Sequence, residues 1–107
     1  FVSPHLTGGS VDITLYDLNT GAMLDMGSDF DEPSERSHTD YYENKPSHTA
    51  HERRRLLHHV MTEVGFSNLP TEWWHFDFGN PLWAHYTGQD HALYGASHWQ
   101  DSAAAAI

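Results

Sequence analysis

The eight residues Glu72 to Gly79, EWWHFDFG, restrict the fold of this chain more than any other stretch. They read as an aromatic strand, because aromatic residues fit a pleated, half-buried surface and the run ends on a turn glycine. A chain of 107 residues has room for one small domain with a modest core. Aromatic residues make up 13 % of it, including four tryptophans. Each ring buries roughly 150 to 250 Å², so the aromatics carry much of the packing. The next residues, GNP, form a turn, and LWAHYTG, Leu82 to Gly88, is expected to run back as a second strand.

Near the start, SVDITLYDL alternates Val11, Ile13 and Leu15 with polar partners, the period-two pattern of a half-buried strand. Asp12 therefore points to the face opposite Val11 and Ile13. Gly8 and Gly9 supply a turn before this strand, since glycine adopts positive φ without steric cost. That turn is expected to bring His5 near Asp12.

From Asn19 to Pro46 the chain is rich in Asp, Glu, Ser, Gly and Pro, with apolar anchors at Met23, Met26 and Phe30. It is long for a loop, and the anchors predict an ordered excursion over a site. Thr49 to Phe66 turns helical. Thr49 with Glu52 makes a capping-box pattern, Leu56, Val60 and Val64 with Leu57 and Met61 form an apolar stripe, and Gly65 ends the helix. The tail DSAAAAI carries no packing signal and is expected to fray.

Composition removes several function classes. There are no cysteines, which excludes disulfides and thiolate metal sites. The formal charge of −10, with five Lys and Arg, argues against a nucleic-acid partner, whose binding draws on clustered cations. No apolar run approaches the roughly 20 residues that span a bilayer. The chain begins with Phe1 rather than Met, so its true amino terminus, with any signal, is expected upstream.

Two histidines and a carboxylate, His5, Asp12 and His75, suggest a metal site. A hydrolytic zinc is held by three protein ligands and keeps one position for water, whose pKa falls toward about 7. A nearby carboxylate outside the ligand set must then move the water proton, and Glu72 is the candidate base. Residues three apart on a regular strand face opposite sides. Glu72 must therefore lie at a bend after Pro70, or beside a bulge, to share a cavity with His75.

Most of the ten histidines are expected at the surface. His51 and Glu52 resemble the start of H-E-x-x-H, but Arg55 stands where the second histidine belongs, so that motif fails. His48, His51, His58 and His59 are read as solvated helix residues. The acidic group Asp25, Asp29, Asp31 and Glu32 lacks EF-hand spacing and is read as a solvated loop. Trp73 and Trp74 are read first as core, with one of them also walling a small pocket.

These residues reach a family. SPHLTGGSVD, Ser3 to Asp12, resembles the S-x-H-x-x-G-x-A-x-D motif of zinc D,D-peptidases, and EWWH, Glu72 to His75, resembles the second motif of the D-alanyl-D-alanine dipeptidases. Asp25 to His38 and Arg53 to Phe66 are also similar to that family, so the resemblance spans about Ser3 to Gly95. One departure is Ser10, where the family usually has alanine.

The resemblance implies an α+β fold of the hedgehog/D,D-peptidase type, an antiparallel sheet with flanking helices. It implies that residues 1–107 form the C-terminal part of a single catalytic domain, incomplete at its amino terminus. By the same resemblance His5, Asp12 and His75 ligate one zinc, Glu72 is the general base, and Ser3 and Trp74 contact the substrate. The reaction implied is hydrolysis of D-Ala-D-Ala, in glycopeptide resistance or in dipeptide recycling, in a bacterial cell. The alternatives are a noncatalytic zinc-dependent binder of cell-wall peptides and a D,D-carboxypeptidase acting on longer peptides.

The family's oxyanion-stabilising arginine lies upstream of Phe1. Arg53, Arg54 and Arg55 are expected to turn toward solvent, and Arg36 in the loop is the one understudy. An upstream half on another chain, or self-association, is therefore expected.

Overall fold

The computed structural model describes residues 8–93. Ser3, His5 and the alanine-rich tail lie outside the described residues. The chain forms an α+β unit in the order β1 (Ser10–Asp12), α1 (Thr49–Glu63), β2 (Ser67–Leu69), β3 (Glu72–Asp77) and α2 (Pro81–Thr87), with one 3₁₀ turn at Glu35–Ser37. The three strands make an antiparallel sheet in the order β1-β3-β2.

The aromatic strand occupies the middle of this sheet. Trp73, Trp74 and Phe76 are 4 %, 1 % and 0 % exposed, so β3 is buried on both of its faces. They pack with Met26 and Leu57, and Ile13, Leu15, Met61 and Phe66 close around them. The strand read over Val11 to Leu15 is shorter than expected, ending at Asp12, although the Ile13 amide still donates to the Trp74 carbonyl at 3.0 Å. Gly8 takes φ 74°, as the turn before β1 requires. β2 escapes the sequence reading because Ser67–Leu69 carries no alternation long enough to register.

The run Asn19 to Pro46 is an ordered excursion, as its anchors predict, but Met23 is 69 % exposed and only Met26 is buried in the core. Phe30 instead stacks on Trp73 with ring centroids 5.6 Å apart. The buried guanidinium of Arg54 holds much of the excursion from within, donating to the carbonyls of Met26 at 2.6 Å, Arg36 at 2.6 Å and His38 at 2.8 Å.

This corrects the expectation for α1. Its inward face carries Ala50, His51, Arg54 and Leu57. Leu56, Val60 and Val64 of the expected stripe are exposed, because the loop carbonyls draw Arg54 inward and the helix rotates to follow. His51 is likewise buried rather than solvated, with Nδ1 3.1 Å from Glu52 Oε1. The helix cap is His48, whose Nδ1 accepts from the Ala50 amide at 3.0 Å, so Thr49 is the first helical residue rather than the cap. Gly65, at φ 103°, ends the helix as expected.

The second correction is α2, where a returning strand was expected. Asn80 caps it by accepting from the Trp83 amide at 2.9 Å, Pro81 opens it, and Gly88 closes it in the left-handed region at φ 75°. An asparagine cap, a proline in the first turn and a glycine just past the end are helix punctuation, and they outweigh the aromatic character of Leu82 to Tyr86.

Candidate functional site

Antiparallel register builds the site. Asp12 pairs with His75 and Ser10 with Asp77, so the alternation of side chains puts all four on one face of the β1–β3 pair. His75 Nδ1 stands 3.5 Å from Asp12 Oδ1 and 3.6 Å from Glu72 Oε1. Glu72 reaches the same face because the β2–β3 pairing slips between Asn68 and Leu69, which pair with Phe76 and Glu72 respectively. This is the irregularity the spacing demanded. The Asn68 side chain fills it, with Nδ2 3.1 Å from the His75 carbonyl and 3.2 Å from that of Glu72.

On its other side the His75 ring is held by Asp77. Nε2 lies 2.9 Å from both Asp77 carboxylate oxygens. Asp77 is 0 % exposed and also accepts from Ser10 Oγ and from Asn80 Nδ2, the latter at 2.6 Å. Burial disfavours the Asp77 charge, but the hydrogen bonds from His75, Ser10 and Asn80 outweigh it and hold the carboxyl below its usual range. Burial likewise opposes protonation of His75, while Asp77, with Asp12 and Glu72 adding, pushes the imidazole above its ordinary value. An ionised carboxylate only accepts, and Asp77 lies within hydrogen-bond distance of Nε2 at 2.9 Å whereas Asp12 and Glu72 stand 3.5 and 3.6 Å from Nδ1, so the geometry favours a donated proton on Nε2 and leaves Nδ1 on the side of Asp12 and Glu72. The sequence reading missed Asp77 and Asn80. The available signal was the i, i+2 spacing of His75 and Asp77, which shares a face on any strand.

An imidazole nitrogen and a carboxylate oxygen suit zinc in chemistry and in spacing. Ligand atoms about 2.0–2.2 Å from a tetrahedral ion sit about 3.4 Å from each other, close to the 3.5 Å between His75 Nδ1 and Asp12 Oδ1. Among the described residues no three His, Cys, Asp or Glu side chains form a metal-holding group. The third donor expected from the sequence, His5, lies outside them.

Beside Glu72 a cleft of about 330 Å³ is lined by Asp31, Glu32, Ser37, His38 and Trp74, among others. Trp74 thus belongs to both the core and the cleft wall. The arginines are each held by a carboxylate or a carbonyl, Arg36 by Glu32 of the cleft lining. Arg36 makes a two-point contact with Glu32 at 2.9 and 2.7 Å, Arg55 a similar one with Glu43, and Arg53 donates to the Asp25 carbonyl at 2.9 Å.

A histidine and two carboxylates converging on one sheet face beside a cleft make a cluster suited to moving protons. The chain belongs to the D-ala-D-ala dipeptidase family, whose model matches residues 1–97. It is 41 % identical over 97 residues to a D-alanyl-D-alanine dipeptidase of Synechocystis sp., covering 82 % of this chain and 39 % of that protein. A protein of the same name from Escherichia coli is 45 % identical over 75 residues, covering 70 % of this chain and 37 % of its own length. One from Enterococcus faecalis is 40 % identical over 81 residues, covering 69 % and 36 %. The chain therefore spans less than two fifths of the length of each of these relatives. Among the described residues no helix is long and apolar enough to cross a membrane.

Proposed function

We propose that residues 1–107 are the C-terminal part of a single catalytic domain of the hedgehog/D,D-peptidase type that hydrolyses D-Ala-D-Ala. The observation that carries this reading is the placement of Asp12 and Glu72 oxygens 3.5 and 3.6 Å from His75 Nδ1, in a chain of this family. His5, Asp12 and His75 would hold one zinc ion. Bound there, zinc would supply Lewis acidity, polarising the scissile carbonyl and acidifying a water.

The protein's own residues do the rest. The Glu72 carboxylate accepts the proton of the attacking water and delivers it to the leaving amine nitrogen. Trp74 walls the cleft that receives the dipeptide, and Ser3 is assigned to its polar ends. With the four arginines engaged by carboxylates or carbonyls, the positive group that stabilises the developing oxyanion is proposed to come from an upstream segment, a separate polypeptide or a second copy.

Metal analysis and kinetics of two variants in the complete enzyme test the assignment. Glu72→Gln is expected to keep zinc and lose about 10²- to 10⁴-fold in hydrolysis; loss of zinc would make Glu72 a ligand instead. His75→Ala is expected to lose the metal, and retention of a full equivalent would show the site to be misassigned.

A further inference from the structure

We propose that Asp77, clamped by Ser10 and Asn80, is a positioning residue that fixes the His75 ring so that Nδ1 is the nitrogen presented beside Asp12 and Glu72. The inference rests on reading His75 as a metal ligand.

A fully buried carboxylate in a core strand is costly unless its oxygens are satisfied. Here they are, by three groups from three places in the fold: the His75 ring on β3, the Ser10 hydroxyl on β1 and the Asn80 amide at the start of α2. Asn80 Nδ2 also donates to Ser10 Oγ at 3.0 Å, while its Oδ1 caps α2. The carboxylate is thus pinned to both the sheet and the helix.

The torsion that turns an imidazole about its bond to Cβ is broad and roughly two-fold, so packing alone leaves two faces of the ring competing. The two-oxygen contact with Asp77 decides between them by holding Nε2–H. Ser10 gives the clamp a feature of its own. Its hydroxyl donates to Asp77 and accepts from Asn80 Nδ2 at 3.0 Å, so it joins the carboxylate to the helix cap as well as to the sheet.

The test uses the 107-residue chain. In the metal-free wild type, ¹⁵N spectra at about pH 9, where an imidazole is neutral, are expected to show His75 protonated on Nε2. Asp77→Asn is expected to mix the two tautomers and to weaken zinc binding about 10- to 100-fold, the range found when a partner of a ligating histidine is removed. Ser10→Ala, a small-for-small change that avoids any folding defect of the first variant, is expected to shift the tautomer ratio in the same direction by a smaller amount. An unchanged tautomer in both variants, or zinc affinity within about twofold of wild type in a folded Asp77→Asn, overturns the proposal. Wild-type chain that holds the Nε2–H tautomer but binds no zinc would overturn the metal reading, while the ring-fixing role of Asp77 would still be decided by the spectra.

Discussion

Arg54 Nε donates to the Met26 carbonyl at 2.6 Å, joining the inward face of α1 to a loop residue 28 positions earlier. The same guanidinium lies over the Tyr42 ring, 4.6 Å from its centroid. Burial pulls its pKa down to about 10, which still leaves it charged at neutral pH. Lysine has no planar fork and cannot reach three carbonyls. Arg54→Lys is expected to cost about 3 kcal/mol, because buried carbonyls left without donors cost about 1–3 kcal/mol each. Urea unfolding measures the loss, and protease cleavage between residues 26 and 38 should accelerate with it.

Gly27 is expected to tolerate no side chain. At φ 95° its backbone is left-handed, and an added Cβ would sit 2.3 Å from Tyr42 Cε2 and 3.0 Å from Ala50 Cβ. The Tyr42 ring cannot retreat, since it lies against His48 at 4.2 Å and its hydroxyl donates to the Gly27 carbonyl at 2.9 Å. Gly27→Ala should destabilise by more than about 2 kcal/mol. Tyr42→Phe, which removes only the hydrogen bond, should cost about 1 kcal/mol. Equal unfolding midpoints for Gly27→Ala and wild type would contradict the packing described.

The Glu32–Arg36 contact predicts a pH dependence. Hydrogen bonds from Arg36 and then Ser34 hold Glu32 down at about 2, against an ordinary value of 4.5. A depressed carboxyl contributes stability above its unfolded pKa and loses it as pH falls through the folded value. The difference in melting midpoint between wild type and Glu32→Gln should therefore be constant above about pH 5 and close between about pH 4.5 and 2. Arg36 is exposed, so the difference is small and shrinks further in high salt.

Substrate length is the last expectation. The cleft beside Glu72 is closed on one side by the buried Trp74 and on another by loop residues Asp31 to His38. A complete enzyme walled in this way should prefer free D-Ala-D-Ala over longer peptides ending in the same pair. Comparable kcat/KM on dipeptide and pentapeptide would favour the carboxypeptidase alternative.

Local pattern and spacing were enough to read β3, the turn at Gly8, the end of α1 at Gly65 and the bend that lets Glu72 share a face with His75. Each depends on neighbours within a few residues, where period and turn chemistry act directly. The face that α1 buries was not legible. Two apolar stripes were available to a helix containing Leu56, Leu57, Val60 and Met61, and the choice fell to Arg54, whose partners are carbonyls 16 to 28 residues away. The misreading of α2 had a local remedy in Asn80, Pro81 and Gly88.

The sequence by itself determined that an aromatic strand carries His75 and that Glu72 and Asp12 are its candidate partners, because residue type and period decide what a strand presents. Only the tertiary structure decided which nitrogen of His75 meets them. That choice belongs to Asp77, Ser10 and Asn80, which come together through the β1–β3 register and the start of α2, and no periodicity along the chain encodes a hydrogen bond between residues 67 positions apart.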